Sequence, residues 1–499
     1  MTAGKIEGSV GVVTVTESSA APRPLLARWL RSPRTVAAAV LLVYAFWIAA
    51  FLLTGHQARD FADVGTRFVR QSHASAVIAY DPRAHYDPTG IGYDGQFCYY
   101  IALDPANARY YMDWPAYRYG RILYPVTARV LALGQAALVP YTLILVNWLA
   151  LGGGTLALAA WLRRKGLSPW LALLFGLYPG LFIALRLDLT EPLGYAFVVL
   201  GVYLFDYGPA RRRVLWAALS FALGVLARET TAVFPAVYAL ALLVGPMVRR
   251  TSPPAPLLPG GEGSPVAAGE GTLPRAGVGR GGALKDTANA LGRGRTSPPT
   301  PPRRGEGSQR DAHDGDGCGE GGLMATGGRV WPWLASLRAN WRPAAMLLGV
   351  ALAPYVVYKL FLAAWLGSSG VPTDALPLLI PFQGLLVLWP WHGEQLAEIE
   401  TTILPALLCA GLAVWALVRR QWRVEIAALL LNIQLFIVML NPYASDYLVS
   451  EERVTTGVVL AALLCLPIFA RLGRPGRLIF CASAAIWIAP LAYWMLTTW

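Results

Sequence analysis

Val36-Ala-Ala-Ala-Val-Leu-Leu-Val-Tyr-Ala-Phe-Trp-Ile-Ala-Ala-Phe-Leu-Leu53 runs without a charged side chain, a glycine or a proline. As a helix it reaches about 27 Å, close to the hydrocarbon thickness of a bilayer. Arg23, Arg28, Arg31 and Arg34 precede it and no small-residue cleavage site follows. It therefore reads as a retained transmembrane helix and not as a removed signal peptide. The rest of the chain agrees: 499 residues are 56% hydrophobic and only 14% charged, where a soluble chain carries about a quarter charged residues. That excludes a disordered or ordinary water-soluble protein. A net charge of +13 on a soluble chain would point to nucleic acid. Here the basic residues flank apolar runs, so they orient helices in a lipid bilayer and no nucleic-acid partner is expected.

Further apolar runs lie near residues 137–161, 169–185, 192–208, 213–227, 231–247, 344–366, 403–418, 424–440, 456–470 and 479–497. The expected fold is all-α, a polytopic membrane bundle of about eleven transmembrane helices with a long external first loop. Arg163/Arg164/Lys165, Arg211–Arg213, Arg249/Arg250, Arg338/Arg342, Arg419/Arg420/Arg423 and Arg471/Arg474/Arg477 all fall on the side of the basic N-terminus. The positive-inside rule makes that side cytoplasmic. Most of the acidic residues gather on the opposite face, which places the polar chemistry outside. Leu376–Trp391 reads as a re-entrant or interfacial helix, because counting it as a span would invert every later arginine loop. The expected protein is thus a multi-pass membrane protein with its N-terminus cytoplasmic and its polar chemistry outside.

The chain divides into a cytoplasmic segment 1–35, an N-terminal transmembrane catalytic module 36–250 with external loop 55–125, an insertion 251–324, and a C-terminal transmembrane module 325–499. The insertion is rich in Gly and Pro and nearly free of aromatic side chains. Such a stretch buries too little apolar area to offset its chain entropy and is expected to be disordered. Thr251-Ser-Pro-Pro with Gly261-Glu-Gly-Ser recurs as Thr296-Ser-Pro-Pro with Gly305-Glu-Gly-Ser, the mark of a low-complexity linker. Deleting 255–320 is expected to leave activity intact. Cys98, Cys318, Cys409, Cys465 and Cys481 show no CxxC or metal-ligand spacing, so neither a disulfide framework nor a metal site is expected.

The external loop carries Arg59, Arg67, Arg70, Arg83, Arg109, Arg118 and Arg121 among seven acids. Surface pairing with those acids explains them as readily as recognition of a lipid phosphate, which a planar guanidinium binds bidentately. Within the loop, Gly92-Tyr-Asp-Gly-Gln-Phe-Cys-Tyr-Tyr-Ile-Ala-Leu-Asp-Pro105 opens a short helix at Asp94, with Gln96 beside it. Tyr93, Phe97, Tyr100 and Ile101 form one apolar stripe suited to the membrane interface. Asp94 either sits at headgroup depth for chemistry or caps the helix. Downstream of Asp113, Tyr117-Arg-Tyr-Gly-Arg-Ile-Leu-Tyr-Pro125 places Arg118 and Arg121 on one helical face, where they could share a phosphate.

Two further clusters lie at outer helix ends: Arg186-Leu-Asp-Leu-Thr-Glu-Pro192, with Asp188 and Glu191, and Arg228-Glu229. Ionisable residues at such depths are costly unless paired or lining a cavity. For Arg186, Asp188 and Glu191, mutual ion pairing is as plausible as substrate contact. Arg228 has only Glu229 beside it, and neighbours in sequence face different sides of a helix, so ligand contact is favoured. Arg453, beside Glu451 and Glu452, is a similar candidate. Lys359 and Asp206 read as lone charges snorkelling to the interface, and His392 as an interfacial residue.

The order of a basic N-terminus, a first helix, an external loop with Tyr93-Asp-Gly-Gln-Phe-Cys-Tyr-Tyr-Ile-Ala102, and Arg121-Ile-Leu-Tyr-Pro125 entering the second span resembles the GT-C superfamily of polytopic glycosyltransferases. The likeness is nearest to bacterial relatives of the mannosyltransferase that adds the second mannose of glycosylphosphatidylinositol. Leu189-Thr-Glu-Pro192 and Leu226-Ala-Arg-Glu229 resemble that group's later turns, and Glu452-Arg453 is a C-terminal echo. Tyr93 stands where the group has Trp, and Pro192 where it has Ser. The resemblance implies a polyprenyl-phosphate sugar donor, a glycan or lipid acceptor, an external active site and an essential acid in the first external loop. On that reading Asp94 is the general base. Gln96, Asp113, Arg118, Arg121, Asp188, Glu191, Arg228, Glu229 and Arg453 are the candidates for holding donor and acceptor, with no cofactor. Asp60 and Asp63, directly after the first helix, are substitutes for Asp94, as are Asp113, Asp188 and Glu191. Two other classes stay open: a transporter or flippase of lipid-linked glycans, and a non-catalytic subunit of glycopolymer assembly.

Overall fold

In a computed structural model of the protein, residues 32–251, 332–368, 370, 380–439 and 448–497 are described, with side chains 245–251 and 332–339 left aside. The linker expected over 251–324 and most of the N-terminal segment lie outside the described residues. Among the described residues the protein is helical without a strand; the one strand-like feature is an isolated antiparallel bridge between Val64 and Gly92.

The principal helices are α1 (Pro33–Leu53), α2 (Gly95–Leu103), α3 (Leu123–Leu131), α4 (Val139–Arg164), α5 (Pro179–Arg186), α6 (Glu191–Tyr207), α7 (Arg213–Ala227), α8 (Val233–Thr251), α9 (Pro332–Leu366), α10 (Leu404–Val418), α11 (Val424–Ile433), α12 (Leu448–Val454), α13 (Thr456–Leu464), α14 (Arg474–Ile488) and α15 (Pro490–Thr497). Pro33 and Pro140 sit in the first turns of α1 and α4, where a missing N–H costs nothing, and Arg163 and Arg164 close α4, where cations favour the helix dipole.

The molecule is an all-α membrane protein. Among the described residues, five stretches are long and apolar enough to cross a bilayer: Pro33–Leu53, Ala136–Arg164, Asn340–Leu366, Gly393–Val418 and Leu466–Thr497. A bent pair, Pro169–Gly176 with Pro179–Arg186, makes a sixth if it counts as one span. Arg213–Ala227, Glu229–Val244 and Val424–Val438 are apolar but shorter. The run at 192–208 becomes α6, which begins on the buried Glu191 and ends beside Asp206. Over 376–391 the described part, from 380 onward, contains a helix of only 5 residues, Gln383–Val387, too short to span.

Packing runs α1 on α4, α4 on α6, α6 on α7, then α7 and α8 on α9; α10 packs on α14, and α11 on α13. Helices from both sides of the 251–324 insertion therefore share one compact unit. Small residues permit close approach, the usual device of helix pairs in lipid. A Cβ on Gly152 of α4 would lie 2.7 Å from Leu41 of α1, and one on Gly201 of α6 would lie 2.7 Å from Phe221 of α7. Two joins bear on the site. A Cβ on Gly180 of α5 would lie 2.1 Å from the Glu452 carbonyl oxygen of α12, and one on Gly95 would lie 1.9 Å from the Leu187 carbonyl oxygen.

In the external loop Val64, Phe68, Ile78, Phe97, Tyr100, Ile101, Tyr111 and Tyr119 are buried in a second core shared with Leu143 of α4, Leu193 of α6 and Leu362 of α9. The expected interfacial stripe is thereby corrected: Phe97, Tyr100 and Ile101 are buried in this core, and every residue of α2 except Tyr99 is buried. Helical periodicity was right about which side chains share a face, but protein covers that face. Two other expectations change. Asp206 is not a lone charge, since Lys165 lies 2.7 Å away and Trp161 Nε1 donates to it. Lys359 turns back to the loop, donating to the Ala116 carbonyl at 3.2 Å.

Candidate functional site

Four chain segments meet at Asp94: the external loop, the α5–α6 turn, the α7–α8 turn and α12. The loop is fixed by tight backbone crossings. A Cβ on Gly65 would lie 2.3 Å from the Ile91 backbone, and Tyr93 N–H donates to Asp63 O. Gln96 belongs to this scaffold: its Oε1 accepts from Gly65 N–H at 3.2 Å and its Nε2 donates to Ile91 O at 2.9 Å. It is spent on holding the loop, so its expected place among the donor- and acceptor-binding groups is corrected to a supporting one.

Asp94 occupies the position before α2, yet its side chain makes no capping bond. The capping explanation is thereby removed. The carboxylate instead accepts from Arg118 Nη1 at 2.7 Å and from Arg453 Nη1 at 3.2 Å, with Arg121 Nη1 at 4.0 Å. Each arginine has a second carboxylate. Arg118 donates to both oxygens of Asp113 at 2.7 and 3.2 Å, Arg121 Nη2 donates to Glu229 at 2.9 Å, and Arg453 Nε lies 3.2 Å from Glu191. Arg228 Nη1 lies 2.9 Å from the same Glu191 oxygen. Glu191 is fully buried, while a quarter of the Asp94 side-chain surface remains exposed. Asp94, like Asp113 and Glu229, is a partly exposed acid of the network, whereas Glu191 is its buried one.

Aromatic rings fix the guanidinium groups by cation–π contact. Arg118 lies 4.3 Å from the Phe97 ring centroid, Arg121 lies 4.7 Å from that of Tyr117, and Arg453 lies 5.3 Å from that of Tyr93. Tyr93 also ties the loop to α12, its hydroxyl 3.0 Å from Ser450 Oγ. Burial by itself would raise the Asp94 pKa. The Arg118, Arg453 and Arg121 guanidinium groups outweigh that and hold the carboxyl well below the usual range. Asp94 in turn raises the Arg118 pKa against the opposing effect of burial.

Of the expected site residues, Asp94, Asp113, Arg118, Arg121, Glu191, Arg228, Glu229 and Arg453 come together. The expected triad Arg186, Asp188 and Glu191 does not form one group. Arg186 Nη1 donates to Asp60 O and packs over the Phe51 ring, Asp188 turns inward, and Glu191 faces Arg228 and Arg453. Arg228 has a partner after all, Glu191 of the α5–α6 turn and not its own sequence neighbour. Asp188 is fully buried at a positive φ of 48°, accepting from Tyr124 Oη at 3.2 Å. Burial pushes its carboxyl well up. Asp60 accepts from Gln57 N–H at 2.7 Å and sits beside His56 and His85, apart from the network. Asn147, which donates to Tyr124 Oη and to Leu189 O at 2.9 Å each, was not singled out in the sequence. A lone amide inside the apolar run 137–161 was the signal that could have found it. Among the described residues no group of three His, Cys, Asp or Glu side chains is placed to hold a metal ion.

No family model, no curated protein and no solved structure matches this chain.

Proposed function

We propose that the protein is a GT-C-type membrane glycosyltransferase, a hexosyltransferase that moves a mannose-like or other sugar from a polyprenyl-phosphate donor to a cell-envelope glycan or lipid acceptor. The single observation that carries this reading is the convergence of Arg118, Arg121 and Arg453 on one partly exposed carboxylate, Asp94. A sugar on a lipid phosphate already has a good leaving group. Its transfer needs a base for the acceptor hydroxyl and fixed cations for the departing phosphate. The acceptor oxygen bonds to the anomeric carbon, the bond from that carbon to the phosphate oxygen breaks with its electron pair on the phosphate, and Asp94 takes the acceptor proton.

In the unliganded network the arginines hold Asp94 strongly acidic, which makes it a weak base. A phosphate that draws Arg118, Arg121 and Arg453 toward itself restores basicity to Asp94 at the moment the acceptor is next to it. Donor binding and base activation are then one event. Arg228 acts through Glu191, keeping that carboxylate from neutralising Arg453 completely.

The same reading places about eleven helices across the inner membrane, the shorter apolar ones included, with the N-terminus cytoplasmic and the site extracytoplasmic. It is supported by α7, which begins at Arg213 and ends just before Arg228, so that the basic run 211–213 and the network lie at opposite ends of one helix. The test is incubation of purified protein with radiolabelled polyprenyl-phosphate sugars and a panel of envelope acceptors. Label in the acceptor supports the enzyme. Label that crosses the membrane of a sealed vesicle unchanged supports a flippase instead.

A further inference from the structure

The four arginines Arg118, Arg121, Arg228 and Arg453 are matched by the four carboxylates Asp94, Asp113, Glu191 and Glu229. The network is electrically closed, so each of its arginines must leave a carboxylate to reach a ligand. A further cation, outside any ion pair among the described residues, borders it. Lys359 of α9 donates to the Ala116 carbonyl at 3.2 Å and, among the described residues, has no carboxylate within 4.0 Å. Its Nζ lies 3.7 Å, and Tyr355 Oη 3.8 Å, from the Cβ position of Gly120, the residue before Arg121. An ammonium and a phenol one helical turn apart therefore face the same point at the edge of the network.

The helix that carries them is open to lipid. Val356, Val357, Leu360 and Phe361 around Lys359 are 52–66% exposed. Asn340–Leu366 is 27 residues long, about 40 Å as a helix against a hydrocarbon core of about 30 Å. Lys359 lies about 10 Å before its C-terminal end; with the excess length shared between the two ends, that is about 5 Å inside the hydrocarbon boundary, within snorkelling reach of the phosphates. A cation outside any ion pair at that depth is costly unless an anion answers it.

The geometry points to Lys359 and Tyr355 as a seat for the phosphate of an isoprenoid lipid, which reaches the network sideways from the bilayer with its chain along Val356, Val357, Leu360 and Phe361. One ammonium answers the single negative charge of a sugar–phosphate–lipid diester before the network arginines are drawn from their carboxylates. The phenol supplies a neutral donor at the same point, and Arg121 is the first network residue the phosphate meets. The identity of the lipid rests on the glycosyltransferase reading; the existence of the seat does not.

The test uses the full chain in phosphatidylcholine nanodiscs, with a sugar-free polyprenyl monophosphate as probe and phosphatidylglycerol and inorganic phosphate as competitors. Lys359→Met, which keeps the apolar stem, weakens probe binding by about tenfold or more, the loss of one charged hydrogen bond. Lys359→Arg retains most of it, and both variants keep the wild-type thermal midpoint. Excess phosphatidylglycerol and inorganic phosphate fail to displace the probe. In the transfer assay Lys359→Met raises the donor KM and spares kcat. Unchanged probe binding in Lys359→Met overturns the seat, as does displacement by phosphatidylglycerol at equal concentration, which would make it a site for ordinary headgroups. A wild-type protein that transfers no sugar yet binds the probe through Lys359 refutes the enzyme and upholds the seat.

Discussion

Arg453 Nη1 donates to Asp94 Oδ2 across 3.2 Å, joining side chains 359 positions apart. With its Nε, Arg453 also lies 3.2 Å from Glu191. One guanidinium from the C-terminal half thus touches both the partly exposed Asp94 and the buried Glu191. The consequence is that Asp94 can be altered without orphaning an arginine, whereas Glu191 cannot.

Asp94→Asn tests the first half of that statement. Arg118 keeps Asp113, Arg121 keeps Glu229 and Arg453 keeps Glu191, so the variant inserts and accumulates like the wild type. Label transfer falls by about a hundredfold or more, the usual contribution of a positioned base. The measurement is transfer rate per folded molecule, with abundance read by size-exclusion chromatography.

Glu191→Gln tests the second half. It leaves Arg228 facing a neutral amide in a fully buried position while Arg453 keeps Asp94, and breaking a buried pair in this way costs about 3 kcal/mol or more. Adding Arg228→Ala removes the stranded cation. The double variant is therefore more stable than Glu191→Gln alone, as read by thermal unfolding in detergent. Equal additive losses would show that the two side chains are not coupled.

The hydrophobic runs, the basic linkers and the acid at position 94 were legible because each is a local property of the chain. The pairings were not. Arg228 reads in sequence as free for a ligand, but Glu191 of another turn pairs with it, and Glu229 is held by Arg121, 108 positions away. Asp206 looked solitary until Lys165 of an adjacent helix came to it. The stripe on α2 looked ready for lipid, since periodicity names the residues of a face and says nothing of whether lipid or protein will cover it.

The response to pH follows from the depressed pKa of Asp94. A carboxylate whose folded pKa lies below its unfolded value of about 3.9 contributes stability that is fully present above that value. That contribution is lost only as pH falls through the lower, folded value. The difference in thermal midpoint between wild type and Asp94→Asn is therefore flat from about pH 5 to 8 and shrinks only below about pH 4. A difference that declines between pH 5 and 7 would mean that Asp94 titrates there and is not held by the three arginines.

Gly95→Ala and Gly180→Ala probe the two joins behind the site. Their new methyl groups would fall 1.9 Å from Leu187 O and 2.1 Å from Glu452 O, positions taken by backbone. Both variants lose monodisperse folded protein. Gly153→Ala, with nothing within 4 Å of its new methyl group, folds as the wild type does.

The most direct measurement is transfer of label from a polyprenyl-phosphate sugar to an envelope acceptor by purified wild type and Asp94→Asn, side by side in sealed proteoliposomes. Acceptor labelled by the wild type and left unlabelled by an equally folded Asp94→Asn is the result this account predicts. Acceptor labelled equally by both, or donor carried across the vesicle membrane with no label transferred by either, would contradict it.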